Sequence, residues 1–369
     1  MKYFLIAGER SGDVYGAKLI AALLKKDPMA QIVCYGGDEM KAAGGELLSH
    51  YKESAFMGFY EVLTNLRVIK KKLNICKKEL LAFHPDAVIF IDYPGFNLRM
   101  AAFAKRQGLR TIYYISPKIW AWNKGRIKEI RSFVDKLLVI FPFEVPFYKS
   151  LNYPVEYVGN PLIEHIDSYE LDTSFKRSEN YRWNIAFLPG SRKQEVEHSI
   201  EMIGKLAHQR NDLFLWIAGV DNLPIDLYDS IIGLSNVRLV VGKTYEILNL
   251  CDAAIVTSGT ATLETALWNV PQVVCYKAHP ISYLIAKYLV QIKFISLVNL
   301  IVDKEIVKEL IQKDYTIENV SRQVDLLLSD EKTRRKQLND YQQLNILIGQ
   351  KKASETVVEK VYNLVTKPL

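Results

Sequence analysis

Four stretches of this sequence place polar, chemically able side chains directly behind apolar runs. "AGERSGDVYGA" (residues 7–17) sets Glu9, Ser11 and Asp13 after "KYFLIA", and "FIDYPGFN" (90–97) sets Asp92 and Asn97 after "AVIF". A carboxylate at the tip of an apolar run is poorly solvated, which raises its pKa and makes it a better base. The alternative for Asp92 or Asp13 is the cap of a helix or turn. "FLPGSRKQEV" (187–196) offers Gly190, Ser191 and Arg192 at a helix start, where amides, a hydroxyl and a guanidinium suit a phosphate oxygen. "SGTATLE" (258–264) repeats the arrangement: Ser258, Thr260 and Thr262 bring hydroxyls, Gly259 admits a ligand close to the backbone, and Glu264 stands one turn on. Glu264 has two uses, accepting from the vicinal hydroxyls of a ribose or complementing the helix dipole. Two phosphate-type corners in one half of the chain point to a nucleotide diphosphate.

These corners need a scaffold of strands that end where helices begin. Eleven apolar runs read as strands: six before residue 160 ("KYFLIA", "QIVCYG", "AVIFID", "TIYYIS", "KLLVIF", "VEYVG") and five after 182 ("WNIAFLPG", "FLWIAG", "VRLVVG", "AAIVTS", "QVVCYK"). Alternating with helical patterns, they predict parallel sheets covered on both faces. The polar stretch 163–182 interrupts the alternation, so we expect two Rossmann-like domains, 1–165 and 166–344, facing a cleft. From about residue 303 the chain reads as helical to its end.

Composition narrows the function classes. At 369 residues with 49% hydrophobic and 24% charged residues, the chain is expected to form two globular domains. No apolar run reaches a membrane span, and "MKYFLIAG" reads as a buried first strand, so a cytoplasmic location is expected. Cys34, Cys76, Cys251 and Cys275 stand singly, which suits reduced core residues. The net charge of +7 suits an anionic substrate or membrane surface and is too small to argue for nucleic acid. No GxxxxGK[ST] or GxGxxG occurs, and no Asp-x-Asp pair, so no cofactor or metal is expected. His84, His198 and His279 form no coherent pattern. "ISPKIWAWNKGR" (115–126) adds Trp120, Trp122, Lys118, Lys124 and Arg126, a set that fits a sugar phosphate, with core packing the alternative for at least one tryptophan.

Taken in order, "AGERSGDVYGA", "YGGDEM", "FMGFYEVL", "IDYPGFN", "YYISPKIWAWNKGRI", "FPFE", "VGNPL", "LPGSRKQEV", "SGTATLE" and "EIVKELIQ" resemble the lipid-A-disaccharide synthase family. The resemblance implies a GT-B fold, an α/β architecture of two Rossmann-like domains whose last helix (about 345–369) returns to the first. It implies a metal-independent inverting transfer from UDP-2,3-diacylglucosamine to 2,3-diacylglucosamine 1-phosphate. Asp92 or Glu9 would be the general base, the choice left open. Ser11, Asp13, Met57, Asn97 and Trp120 would bind substrate, and Arg192, Glu264, Asn299, Glu309 and Gln312 would line the nucleotide-sugar site. Arg10 replaces a usual small residue, and Val298 a usual proline. An epimerase or muramyl-precursor transferase of the same fold is the rival, and its first-domain loops differ.

Both implied substrates carry acyl chains, which gives the segment 58–83 a second meaning. Arg67, Lys70, Lys71, Lys72, Lys77 and Lys78 alternate there with Val62, Leu66, Ile69, Leu73, Cys76 and Leu80 at helical spacing. The pattern fits a solvated basic face or a peripheral dock on the anionic inner membrane. A non-catalytic membrane-binding protein would need neither diphosphate corner. A second copy of the chain is a further candidate partner.

Overall fold

The computed structural model describes residues 1–54, 66–221, 223–277 and 293–366. Met57, Val62 and His279 lie outside them. Two compact units emerge, Met1–Asp167 with Gln350–Leu369, and Ser168–Gly349.

The first unit is built on seven parallel strands: β1 (Lys2–Ala7), β2 (Gln31–Gly36), β3 (Glu46–His50), β4 (Ala87–Ile91), β5 (Arg110–Tyr114), β6 (Lys136–Val139) and β7 (Glu156–Tyr157). Their order is β3-β2-β1-β4-β5-β6-β7. β4 is buried throughout and β1 from its second residue on, so helices cover both faces. The strand order reverses between β1 and β4, where Ala7 pairs with Ile91. Connections leave that point in opposite directions and open a crevice beyond the strand ends. Glu9 and Asp92 follow these two strands. The last helix, Ala353–Thr366, belongs to this unit, where Glu164 accepts the Ser354 amide at 3.1 Å.

The second unit repeats the plan with β8 (Trp183–Leu188), β9 (Leu213–Gly219), β10 (Val237–Val241), β11 (Ala253–Thr257), β12 (Gln272–Tyr276) and β13 (Lys308–Ile311). Its order, β10-β9-β8-β11-β12-β13, reverses between β8 and β11, with Leu188 opposite Val256. Gly190 and Ser258 follow those strands. The four corners singled out in the sequence therefore fall at two topological switch points.

Two strands escape the sequence reading. β3 ("ELLSH") and β13 ("KELI") are edge strands with mixed exposure, so neither shows a continuous apolar run. β13 also corrects the expectation of an all-helical chain after 303. Of the cysteines, Cys34, Cys76 and Cys275 are buried and all four are unbridged.

Candidate active site

The tip of β4 is held in an uncommon backbone state. Asp92 and Tyr93 adopt φ of +47° and +50°, both left-handed, a conformation that few side chains favour. Three hydrogen bonds fix it. The Asp92 amide donates to the Tyr114 carbonyl at 3.1 Å. The Asp92 carbonyl accepts from the Tyr113 hydroxyl at 2.6 Å and from Asn97 Nδ2 at 2.8 Å. Gly8 makes room for the turn, since a Cβ there would lie 2.2 Å from the Tyr93 ring. The Asp92 side chain is pointed by this frame, and desolvation raises its carboxyl above the ordinary 3.8; the Lys118 ammonium draws it partly back.

Glu9 caps the helix Arg10–Lys26 through an extended backbone without a side-chain cap bond, and its charge helps to raise the Tyr93 phenol, after desolvation. Ser11 is exposed on the first turn of that helix. The structure gives Asp13 and Asn97 work inside the fold. Asp13 is 2% exposed and accepts from the amides of Gly37, Met40 and Glu39 at 2.7, 3.0 and 3.2 Å, anchoring the helix Asp38–Ala42. Asn97 is wholly buried and donates to the carbonyls of Ile6, Ile91 and Asp92, clamping the ends of β1 and β4. Both side chains are thus engaged by the protein's own backbone.

Trp120 is likewise held within the fold. It is 8% exposed, packs edge-on against Phe141 and Phe143, and donates from Nε1 to Glu144 at 3.2 Å. Glu144, itself buried, also accepts from the Ser116 hydroxyl and from the amides of Ile140 and Phe141. One carboxylate thus ties the loop after β5 to the loop after β6. Burial pushes it up to about 7 against the pull of those donors. "FPFE" was among the matching motifs, yet no short-range signal assigned Glu144 a task.

In the second unit the first corner differs from expectation. Gly190 sits at φ +101°, and the Glu195 carboxylate accepts from the amides of Ser191 and Arg192 at 3.1 and 3.2 Å. Those amides are therefore occupied by the protein's own carboxylate. The Arg192 side chain remains 68% exposed, only 3.7 Å from Glu195 in a loose ion pair. At the second corner Ser258 donates to the Ile295 carbonyl and Thr262 to the Gly259 carbonyl, so both hydroxyls turn inward. Gly259 has open space where a Cβ would point, and Thr260 is exposed at the first helical position of Thr260–Leu267. Burial raises the Glu264 carboxyl, opposed by hydrogen bonds with the Tyr245 and Thr260 side chains. A bare backbone, an open helix start and a poised carboxylate are what a pyrophosphate and ribose require.

Asn299 and Glu309 are saturated. Asn299 is wholly buried; it donates to Val307 O and Glu309 Oε1 and accepts from the amides of Ile306 and Val307. Glu309 also accepts from the amides of Ile295 and Ser296 and from the Ser296 hydroxyl. They brace the segment 295–299 against β13, and Gln312 follows that strand at φ +54°. Tyr113 and Tyr245 carry no motif in the sequence, because their partners, the Asp92 carbonyl and the Glu264 carboxyl, belong to other elements. Among the described residues no group of three or more His, Cys, Asp or Glu is arranged to hold a metal.

Solved structures with the same fold include a UDP-N-acetylglucosamine 2-epimerase from Neisseria meningitidis bound to UDP-GlcNAc (TM-score 0.68, 14% identity, 98% of this chain and 100% of that one). The glycotransferase of kitacinnamycin is another (TM-score 0.67, 12% identity, 99% of each chain). Both are too distant in sequence to show more than the GT-B fold. A Lipid-A-disaccharide synthase from Geobacter metallireducens is 36% identical over 351 residues, 90% of each chain. One from Coxiella burnetii is 34% identical over 369 residues, 98% of each. The family model for "Lipid-A-disaccharide synthetase" matches residues 3–361. With that match over nearly its whole length, the chain belongs to the lipid-A-disaccharide synthase family.

Proposed function

We propose that the first unit activates a sugar hydroxyl with Asp92 while the second holds a UDP-sugar through the 258–264 corner. Membership of the family makes the chain a glycosyltransferase that forms the lipid A disaccharide. The donor is UDP-2,3-diacylglucosamine and the acceptor 2,3-diacylglucosamine 1-phosphate. Asp92 takes the proton of the acceptor 6-hydroxyl as its oxygen attacks the anomeric carbon, and UDP leaves from the opposite face. The product is the β-1,6-linked disaccharide 1-phosphate. Charge gathering on the departing diphosphate meets the start of the helix Thr260–Leu267 and the Arg192 guanidinium. Glu264 accepts from the ribose hydroxyls, with Ser191, Ser258, Thr262, Asn299, Glu309 and Gln312 supporting these loops. Glu9, across the crevice from Asp92, orients the acceptor. The carrying observation is the desolvated Asp92 carboxylate in a rigid left-handed turn at the switch point of the first sheet. We expect UDP release in EDTA that depends on the acceptor; release only with added metal would remove the metal-independent mechanism.

A peripheral position on the anionic inner membrane completes the proposal. The helix Leu66–Phe83 buries Leu73, Cys76 and Leu80. Its outer face exposes Lys70, Lys71 and Lys78 beside Val68 and Ile75, which are 41% and 42% exposed. Lys72 and Lys77 are otherwise engaged, with Glu53 and the Phe103 ring. Basic and apolar groups on one face suit a headgroup boundary. Reversing charge at Lys70, Lys71 and Lys78 is expected to lower sedimentation with anionic vesicles several-fold; unchanged partitioning would contradict the dock.

A further inference from the structure

The loop between β5 and the helix Ile127–Phe133 carries side chains that the transfer step leaves unused. Its inner half is pinned: Ser116 and Trp120 both bond to Glu144. Its outer half turns away. Trp122 is 47% exposed, the chain reverses at Asn123 (φ +55°), and the single turn Lys124–Arg126 brings the Arg126 guanidinium to 5.1 Å from the Trp122 ring centroid. Lys118, between the pinned residues, is exposed.

Both cations belong to the surroundings of the Asp92 corner. β5 lies next to β4, so its loop leaves the sheet beside Asp92. The Lys118 charge acts on the Asp92 carboxyl. The Arg126 charge acts on the Tyr113 hydroxyl, which bonds the Asp92 carbonyl at 2.6 Å. Among the described residues neither Lys118 nor Arg126 is in an ion pair within 4.0 Å of a carboxylate. One cation stacked on an exposed aromatic face and a second on the same loop, which is fixed from beneath, suit a doubly charged oxyanion carried on a sugar ring.

We propose that Lys118 and Arg126, with the face of Trp122, bind the phosphate monoester of the sugar-phosphate acceptor. The inference rests on the acceptor assignment above and adds where the phosphate sits. In a hexopyranose C1 and C5 are both bonded to the ring oxygen, so a sugar whose 6-hydroxyl reaches Asp92 carries its anomeric phosphate only one ring atom further on, on the side of the loop that adjoins the Asp92 corner. The guanidinium fork meets two phosphate oxygens, the ammonium a third, and the tryptophan covers the sugar face. The arrangement selects a phosphorylated monosaccharide over its dephosphorylated counterpart.

The test compares acceptors with and without the 1-phosphate in wild type, Arg126→Ala, Arg126→Lys and Lys118→Ala. Loss of the phosphate is expected to lower wild-type kcat/KM by about 10- to 100-fold. Arg126→Ala is expected to show a similar loss with the phosphorylated acceptor and little further loss without it, at unchanged donor KM, and Arg126→Lys an intermediate loss. Equal losses with both acceptors would overturn the inference in favour of a structural loop. A loss confined to bilayer-bound acceptor and absent in detergent micelles would overturn it in favour of a membrane anchor. Binding of glucosamine 1-phosphate, followed by tryptophan fluorescence against a Trp122→Phe control, decides independently of turnover. Binding weakened in Arg126→Ala supports the subsite even if no transfer is seen, and no binding to wild type overturns it.

Discussion

Asp92→Asn is expected to lower kcat by about 10²- to 10⁴-fold, the range for loss of a general base, with the fold intact. Asparagine keeps the size of aspartate and tolerates the left-handed backbone of this position, so the bonds from Tyr113, Asn97 and Tyr114 survive. What disappears is the proton acceptor. The variant is also expected to be more stable than wild type near neutral pH. Burial raises the Asp92 carboxyl above its ordinary 3.8, so the folded protein holds this proton more tightly than the unfolded chain. Its ionisation therefore costs stability as pH rises from 3.8 through the raised value, and the full cost persists above it. Thermal melts should show the gain at neutral pH and its disappearance in acid. The acidic limb of the wild-type rate profile should sit above 3.8 and be absent from the residual activity of the variant. Lys118→Ala should move that limb upward, because the ammonium holds the carboxyl down. Wild-type kcat in Asp92→Asn would transfer the base role to Glu9.

Gly8→Ala is expected to damage the same corner from the other side. The added methyl would lie 2.2, 2.2 and 2.6 Å from three atoms at the near edge and base of the Tyr93 ring. The far end of a flexible side chain would yield cheaply, but these atoms sit close to a backbone fixed at φ +50° at the entry to the helix Pro94–Arg106. The turn has to shift, and Asp92 with it. Overpacking of this kind costs about 1–3 kcal/mol, and a displacement on the order of 1 Å at a reacting group costs about 10²-fold in rate. Gly95→Ala is the control. It lies three residues beyond Asp92, has nothing within 4 Å of a new Cβ, and is expected to be neutral in both melt and rate. Undiminished kcat in Gly8→Ala would show that Tyr93 does not set the position of Asp92.

The scaffold was legible where burial is continuous. β1, β4, β8 and β11 are near-solid apolar runs because both sheet faces are covered, and the residues behind them land at the switch points. β3 and β13 were illegible because an edge strand needs few apolar residues. Side-chain tasks were harder still. Asp13, Asn97, Asn299 and Glu309 all bond to backbone amides or carbonyls of other loops and strands, a task that sequence spacing does not announce. Glu195 closing over the amides of Ser191 and Arg192 is the same competition, and here the carboxylate is only three residues from Arg192. Tyr113 shows the reverse: a core strand residue by pattern, it becomes a support of the site through one hydroxyl that the sequence does not connect to Asp92.

The most direct test of the central claim is structural analysis of the product formed from UDP-2,3-diacylglucosamine and 2,3-diacylglucosamine 1-phosphate in EDTA. Proton NMR of the purified disaccharide should show a β anomeric proton at the new linkage and substitution at the acceptor C6, with one UDP per disaccharide. An α linkage, attachment at another hydroxyl, or UDP released without disaccharide would contradict inverting transfer to the 6-hydroxyl activated by Asp92.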